Sequence, residues 1–140
     1  MGNRAVLQLN ETMGMYVHWN GGLDTIKPFL DIAKEYGLKA GDAEDLKELF
    51  QLAFSQGEIG KLNFLDCDNY DNGVYVLDED LNIVGRKYTR YPEQSEHNYK
   101  EMLEHIRTAT VSYAEKKAVP LTEAVTDSGA TIGMYDLTAI

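Results

Sequence analysis

The order in which two hydrophobic periodicities take turns constrains this chain most. Val6-Leu7-Gln8-Leu9 and Met15-Tyr16-Val17-His18-Trp19 are short, rich in β-branched and aromatic residues, and closed by Asn20-Gly21-Gly22, the marks of strands. From Asp24 the period changes. Ile26, Phe29, Leu30, Ala33 and Tyr36 fall on one helical face, with Pro28 in the tolerant first turn and Gly37 as the stop. A second helix is expected from Asp42, with Asp45 completing a weak capping box, a face of Leu46, Leu49, Phe50 and Ala53 beside Phe54, and Gly57 at its end. Leu62 to Leu65 reads as a strand or a strap. Gly73 to Asp78 and Asn82 to Tyr88 alternate as a hairpin around Glu79-Asp80-Leu81. Ser95 is expected to cap a third helix striped by Tyr99, Met102, Leu103, Ile106, Thr110 and Tyr113, and Pro120 ends it.

This β-β-α-α-β-β-α order, with hairpins in place of regular βαβ units, predicts an α+β fold. A mainly antiparallel sheet packs against about three helices in a single domain. At 140 residues one core suffices. The domain is expected to span residues 1–117, with 118–140 as an extension that docks on the same domain or contacts another subunit. Ile132, Met134, Tyr135, Leu137 and Ile140 make that extension apolar enough to cover a neighbour, which raises the expectation of a homodimer.

Charge narrows the partners. The net charge is −10, and residues 66–80 carry six acids and no base. Such a chain repels bulk nucleic acid, so direct duplex DNA binding is not expected. No apolar run approaches the ~18 residues of a membrane helix, and the N-terminus lacks the layout of a signal peptide. The one cysteine, Cys67, rules out an intramolecular disulfide and fits a reducing compartment, so a cytoplasmic protein is expected. Arg86, Lys87 and Arg90, interleaved with Tyr88 and Tyr91, form a basic cluster.

Two polar blocks crowd side chains that can bind something: Tyr16 to Gly22 and Asp66 to Gly73. His18, Trp19 and Asn20 offer stacking and hydrogen bonding for a base or sugar, although Asn-Gly is also a plain turn signal. Counting from Asp68, Gly73 and Glu79 fall where a calcium loop places its glycine and its bidentate acid, but Tyr70 occupies a ligand position. Turn chemistry accounts for the same Asp and Asn residues, and a looser cation site of Asp66, Asp68 and Asp71 is the alternative. Arg86, Tyr88, Arg90 and Tyr91 pair guanidiniums with rings, the combination that grips phosphates or unstacked bases; guarding a strand edge is the competing use. His97, Glu101 and His105 share a helix face, which reads as a solvated surface rather than a zinc site. Carboxylates around Cys67 raise a thiol pKa and argue against a nucleophile. With no Gly-x-Ser-x-Gly, Walker loop or His-Glu-x-x-His, no catalytic residue, metal ligand or cofactor is assigned, and the chain is not expected to be an enzyme.

The opening Met1 to Val6, the Tyr16 to Gly22 block with Phe29-Leu30, the Leu65 to Tyr75 block and Ile83-Val84-Gly85-Arg86 resemble a family of small uncharacterised proteins encoded by phages and integrative elements of Firmicutes. The resemblance covers roughly the first 115 positions. Here only Gly57 and Gly60 stand where that family has a Gly-rich stretch after the second helix. The resemblance implies a cytoplasmic accessory protein of a mobile element. Combined with acidic surfaces and no catalytic motif, it sets the expectation of a non-enzymatic inhibitor that binds a nucleic-acid-handling host defence protein, a CRISPR effector first. The alternative is a protein that sequesters a nucleotide signal through the His18 and Arg86 clusters.

Overall fold

The computed structural model describes residues 2–89, 93 and 96–117. Strands β1 (Ala5–Gln8) and β2 (Met13–Val17) form the opening hairpin, followed by helices α1 (Leu23–Glu35) and α2 (Ala43–Phe54). Then come β3 (Glu58–Lys61), a 3-10 turn (Leu62–Phe64), β4 (Val74–Leu77), β5 (Ile83–Lys87), α3 (Tyr99–Ala109) and α4 (Val111–Lys116). The strands make one sheet in the order β3-β2-β1-β4-β5. β1 and β4 run parallel and every other pairing is antiparallel. The fold is α+β with a mainly antiparallel sheet, as the pattern predicts.

Alternation assigns the two faces of the sheet. Ala5, Leu7, Met15, Val17, Tyr75 and Leu77 are buried on one face, under Ile26, Phe29, Leu30, Ala33, Leu46, Leu49 and Phe50 of the helices. Phe29 and Phe50 meet edge to face at 4.9 Å. α1 is more enclosed than its predicted stripe implies, because Thr25, Pro28 and Ile32 are buried as well. α3 lies along it: Tyr99 donates to Asp31, Arg107 pairs with Glu35, and the Tyr36 and Thr110 hydroxyls meet at 2.9 Å. The opposite face of the sheet is crossed by the irregular segment 62–72, a strap whose Leu62 and Leu65 rest on Gly14 and Gly60.

Several local expectations need correcting. α1 opens at Leu23 behind Gly22, one residue before Asp24, which puts Pro28 beyond the first turn, and the Asp24 carboxylate accepts the backbone amides of Glu96 and His97 instead of capping its own helix. Asp42 accepts from the Lys39 amide and makes no cap bond to α2. That helix stops at Ser55, in the left-handed region at φ +61°, before Gly57. α3 begins at Tyr99, where Asn98 accepts from the Glu101 amide, and not near Ser95. Its stripe breaks at Thr110, whose hydroxyl donates to the Ile106 carbonyl, and resumes in α4 with buried Tyr113. Of the two readings of Leu62 to Leu65, the strap is the one found, and the strand lies just before it, in the charged β3. The hairpin is as expected, with Asp78 closing the turn by accepting from the amides of Asp80 and Asn82. No helix among the described residues is long and apolar enough to cross a membrane. The extension 118–140, and with it the homodimer expectation, lies outside the described residues.

Candidate functional site: a braced rim at one end of the sheet

Strand register gathers the sequence blocks at one end. Ala5 pairs with Val17, Val6 with Val74, and Val74 with Lys87. The end of β2, the start of β1, the start of β4 and the end of β5 therefore face the same way. His18 to Gly22, Gly2 to Arg4, Asp66 to Gly73 and Tyr88 all emerge there.

These loops are tied to one another by hydrogen bonds. Gly21 N donates to Asn3 O at 2.9 Å, and buried Tyr75 donates through its hydroxyl to Gly21 O at 2.6 Å. Asn72 donates to Asn3 Oδ1 at 2.8 Å and to Arg4 O at 3.1 Å. Arg4 gives both its backbone amide and its Nε to Asp71 Oδ2, and its Nη1 pairs with Asp66 at 3.2 Å. Burial alone pushes the Asp71 carboxyl up, but Arg4 outweighs it and holds the group below the ordinary carboxylate value. Inside the loop, buried Asn69 accepts from the amides of Asp71 and Gly73 and donates to two carbonyls. Gly73 sits at φ +67°, and a Cβ there would come within 2.1 Å of Lys87 O. Only glycine fits that contact between β4 and β5.

Each predicted site residue now has a place. The looser cation reading loses Asp71, which is nearly buried and holds the protein's own Arg4 cation, and the calcium-loop reading fails because strand β4 lies between Gly73 and Glu79. Asp66 and Asp68 line a groove beside the strap. Among the described residues no cluster of three metal-ligating side chains occurs. Arg86 is spent internally: its guanidinium lies 3.9 Å from the Tyr75 ring centroid, donates to Asn72 O at 3.0 Å and pairs with Glu93. Tyr88 is half exposed at φ +62°. Arg90 and Tyr91 lie outside the described residues. His105 reaches Ala53 O at 3.1 Å and packs on Phe54, apart from His97 and Glu101. Cys67 is half-buried, and burial first, Asp66 second, push its thiol up, so the thiolate is disfavoured.

His18, Trp19 and Asn20 form a presented corner. The Tyr16 hydroxyl meets His18 Nδ1 at 2.8 Å, and the His18 and Trp19 rings stack edge-on at 4.9 Å. Gln56, from the turn after α2, accepts from the amides of His18 and Trp19 and donates to Trp19 O. Asn20 takes the left-handed conformation at φ +63°, the plain turn role. Sequence reasoning missed Gln56, held Asn69 and Asn72 only as turn residues of the second polar block, and saw Arg4 only within the family-like opening. A lone basic residue before a strand was the one available signal for Arg4; Gln56 had none.

The rim exposes large rings on a stiff support. Trp19 keeps 54% of its surface in solvent, Tyr70 57% and Tyr88 49%. Three strand steps separate β2 from β5, roughly 14 Å at the usual spacing. His18 and Tyr88 therefore stand along a surface and do not converge on one pocket. Comparison with protein-family models, curated proteins and solved structures returns no match.

Proposed function

We propose that this chain is a non-enzymatic accessory protein of a mobile element. It counters host defence in the host cytoplasm by binding a nucleic-acid-handling defence protein through the rim, with a CRISPR effector the first suspect. One observation carries the binding part of this reading: Trp19, Tyr70 and Tyr88 are held half in solvent on loops that cross-brace one another. Exposed Trp and Tyr on a preorganised support are the residues that dominate protein interfaces, because little ordering entropy opposes their burial. The net charge of −10 suits a partner with a basic nucleic-acid channel and makes association salt-sensitive. The mobile-element setting rests on the resemblance of the opening and the two polar blocks.

The rival reading, a nucleotide-sequestering protein, needed the His18 and Arg86 clusters to meet. Arg86 is engaged internally and the rings are spread, whereas small-ligand sites converge their polar groups. Plasmid or phage survival in defence-positive and defence-negative hosts, with and without the gene, tests the proposal. Protection only where a defence system is present is the expected result. Equal survival across several defence systems contradicts it, and a melting-point rise with a cyclic or linear nucleotide moves the balance to the rival.

A further inference from the structure

A carboxylate without a partner stands at the foot of the ring-bearing end of β2. Tyr16 and Glu58 are directly opposite each other in the β2–β3 ladder, so their side chains leave the same face of the sheet about 5 Å apart at Cβ. Glu58 is exposed and makes no hydrogen bond or ion pair among the described residues. From Tyr16 the contacts run on outward. Its hydroxyl meets His18 Nδ1 at 2.8 Å, and the His18 ring meets Trp19 edge-on at 4.9 Å. A row of three rings thus leads from Glu58 to the half-exposed Trp19, and Gln56 fixes its outer end.

We infer that this row binds an arginine side chain of the partner protein, with the guanidinium stacked on the exposed rings and its charge met by Glu58. The inference rests on the reading of the rim as a protein-binding surface and names what that surface takes. The local charge favours a cation. Burial first, then Asp66, raise the Tyr16 hydroxyl above its ordinary value, Glu58 and Asp71 add to the effect, and Arg4 opposes it. Three carboxylates therefore act on the row against one guanidinium, and that guanidinium is already bonded to Asp71 and Asp66. Arginine suits rings and carboxylate together, because its flat, weakly hydrated head stacks on aromatic faces and still forks to an acid. Lysine gains only the point-charge part. A nucleotide would stack on Trp19, but its phosphate would meet Glu58 and Asp66. Arginine is also what a protein that holds nucleic acid presents to its ligand.

Trp19 is the one tryptophan of the chain, so its fluorescence reads the site. The purified full-length protein is titrated at low salt with capped tetra-arginine, tetra-lysine and tetra-citrulline peptides, the last keeping the shape of arginine without its charge. Tetra-arginine should change Trp19 emission saturably and bind at least about threefold more tightly than tetra-lysine, and tetra-citrulline should give no saturable change. Glu58→Gln should weaken tetra-arginine about fivefold at an unchanged melting temperature. Glu11→Gln removes one exposed charge from the β1–β2 turn, at the other end of the sheet, and should leave the affinity within about twofold. No saturable response to tetra-arginine at millimolar concentration overturns the inference. So does equal affinity for tetra-lysine or tetra-citrulline, or an equal effect of the two glutamine variants. The titration contains no defence protein, so its failure leaves the survival test of the rim standing, and failure of the survival test leaves arginine binding measurable.

Discussion

Arg4 donates to one oxygen of Asp71 twice, through Nε at 2.7 Å and through its backbone amide at 3.1 Å. The pair ties the first strand to the loop that starts β4, and it makes a sequence block that resembles a cation site into a structural clasp. Asp71→Asn keeps the shape but loses the charge, and is expected to cost about 1–3 kcal/mol at pH 7. Arg4→Met should cost more there, since it leaves a nearly buried carboxylate without its cation.

The same clasp sets a pH dependence. The Asp71 carboxyl is depressed in the folded state, so its contribution is fully present above the unfolded value of about 4 and is lost as pH falls through the lower folded value. Urea midpoints measured from pH 7 to pH 3 should fall for the native protein and fall less for Asp71→Asn. The gap between Arg4→Met and Asp71→Asn should close in acid, as the orphan carboxyl protonates. Parallel pH curves for all three proteins would contradict the assignment.

Gln56 fixes the presented corner from outside the strand that carries it. Its replacement by Leu removes the acceptor of two amides and is expected to cost about 1 kcal/mol, water replacing part of the loss. Hydrogen exchange at the His18 and Trp19 amides should accelerate, and Trp19 fluorescence anisotropy should drop. Unchanged exchange at both amides would show that the corner is held by something else.

Gly73 and Gly37 separate strain from collision. Both have positive φ, +67° and +80°, but a Cβ on Gly37 meets nothing within 4 Å, while one on Gly73 meets the Lys87 carbonyl. Gly37→Ala should cost about 1 kcal/mol from backbone strain alone. Gly73→Ala should cost more than about 2 kcal/mol, because the contact between β4 and β5 must open. Thermal melts of the two variants decide it, and equal losses would contradict the close approach.

Legibility in the sequence followed the range of the interactions. The α1 and α2 faces and the β4–β5 hairpin were readable, since each depends on neighbours a few residues away. β3 was not, because Glu-Ile-Gly-Lys has too few apolar positions to show a period and is held by pairing with β2. The parallel β1–β4 pairing and the Arg4–Asp71 clasp join distant segments and leave no spacing signal. Arg86 misled for a related reason: its composition suits an anion, but its register places it opposite Tyr75, over whose ring it packs. The Asn and Asp residues were rightly ambiguous, since turn closure and ligand binding demand the same oxygens.

The central claim is that exposed rings on the rim do the binding, and one measurement addresses it most directly. Trp19→Ala combined with Tyr70→Ser removes two half-exposed rings and should change stability by no more than about 1 kcal/mol, because neither ring is buried in the core. The survival of a targeted plasmid is then compared in a defence-positive host carrying the native gene, the double variant or neither. The account predicts protection by the native gene and survival at the no-gene level with the folded double variant. Full protection by the double variant, at equal protein abundance, would contradict it.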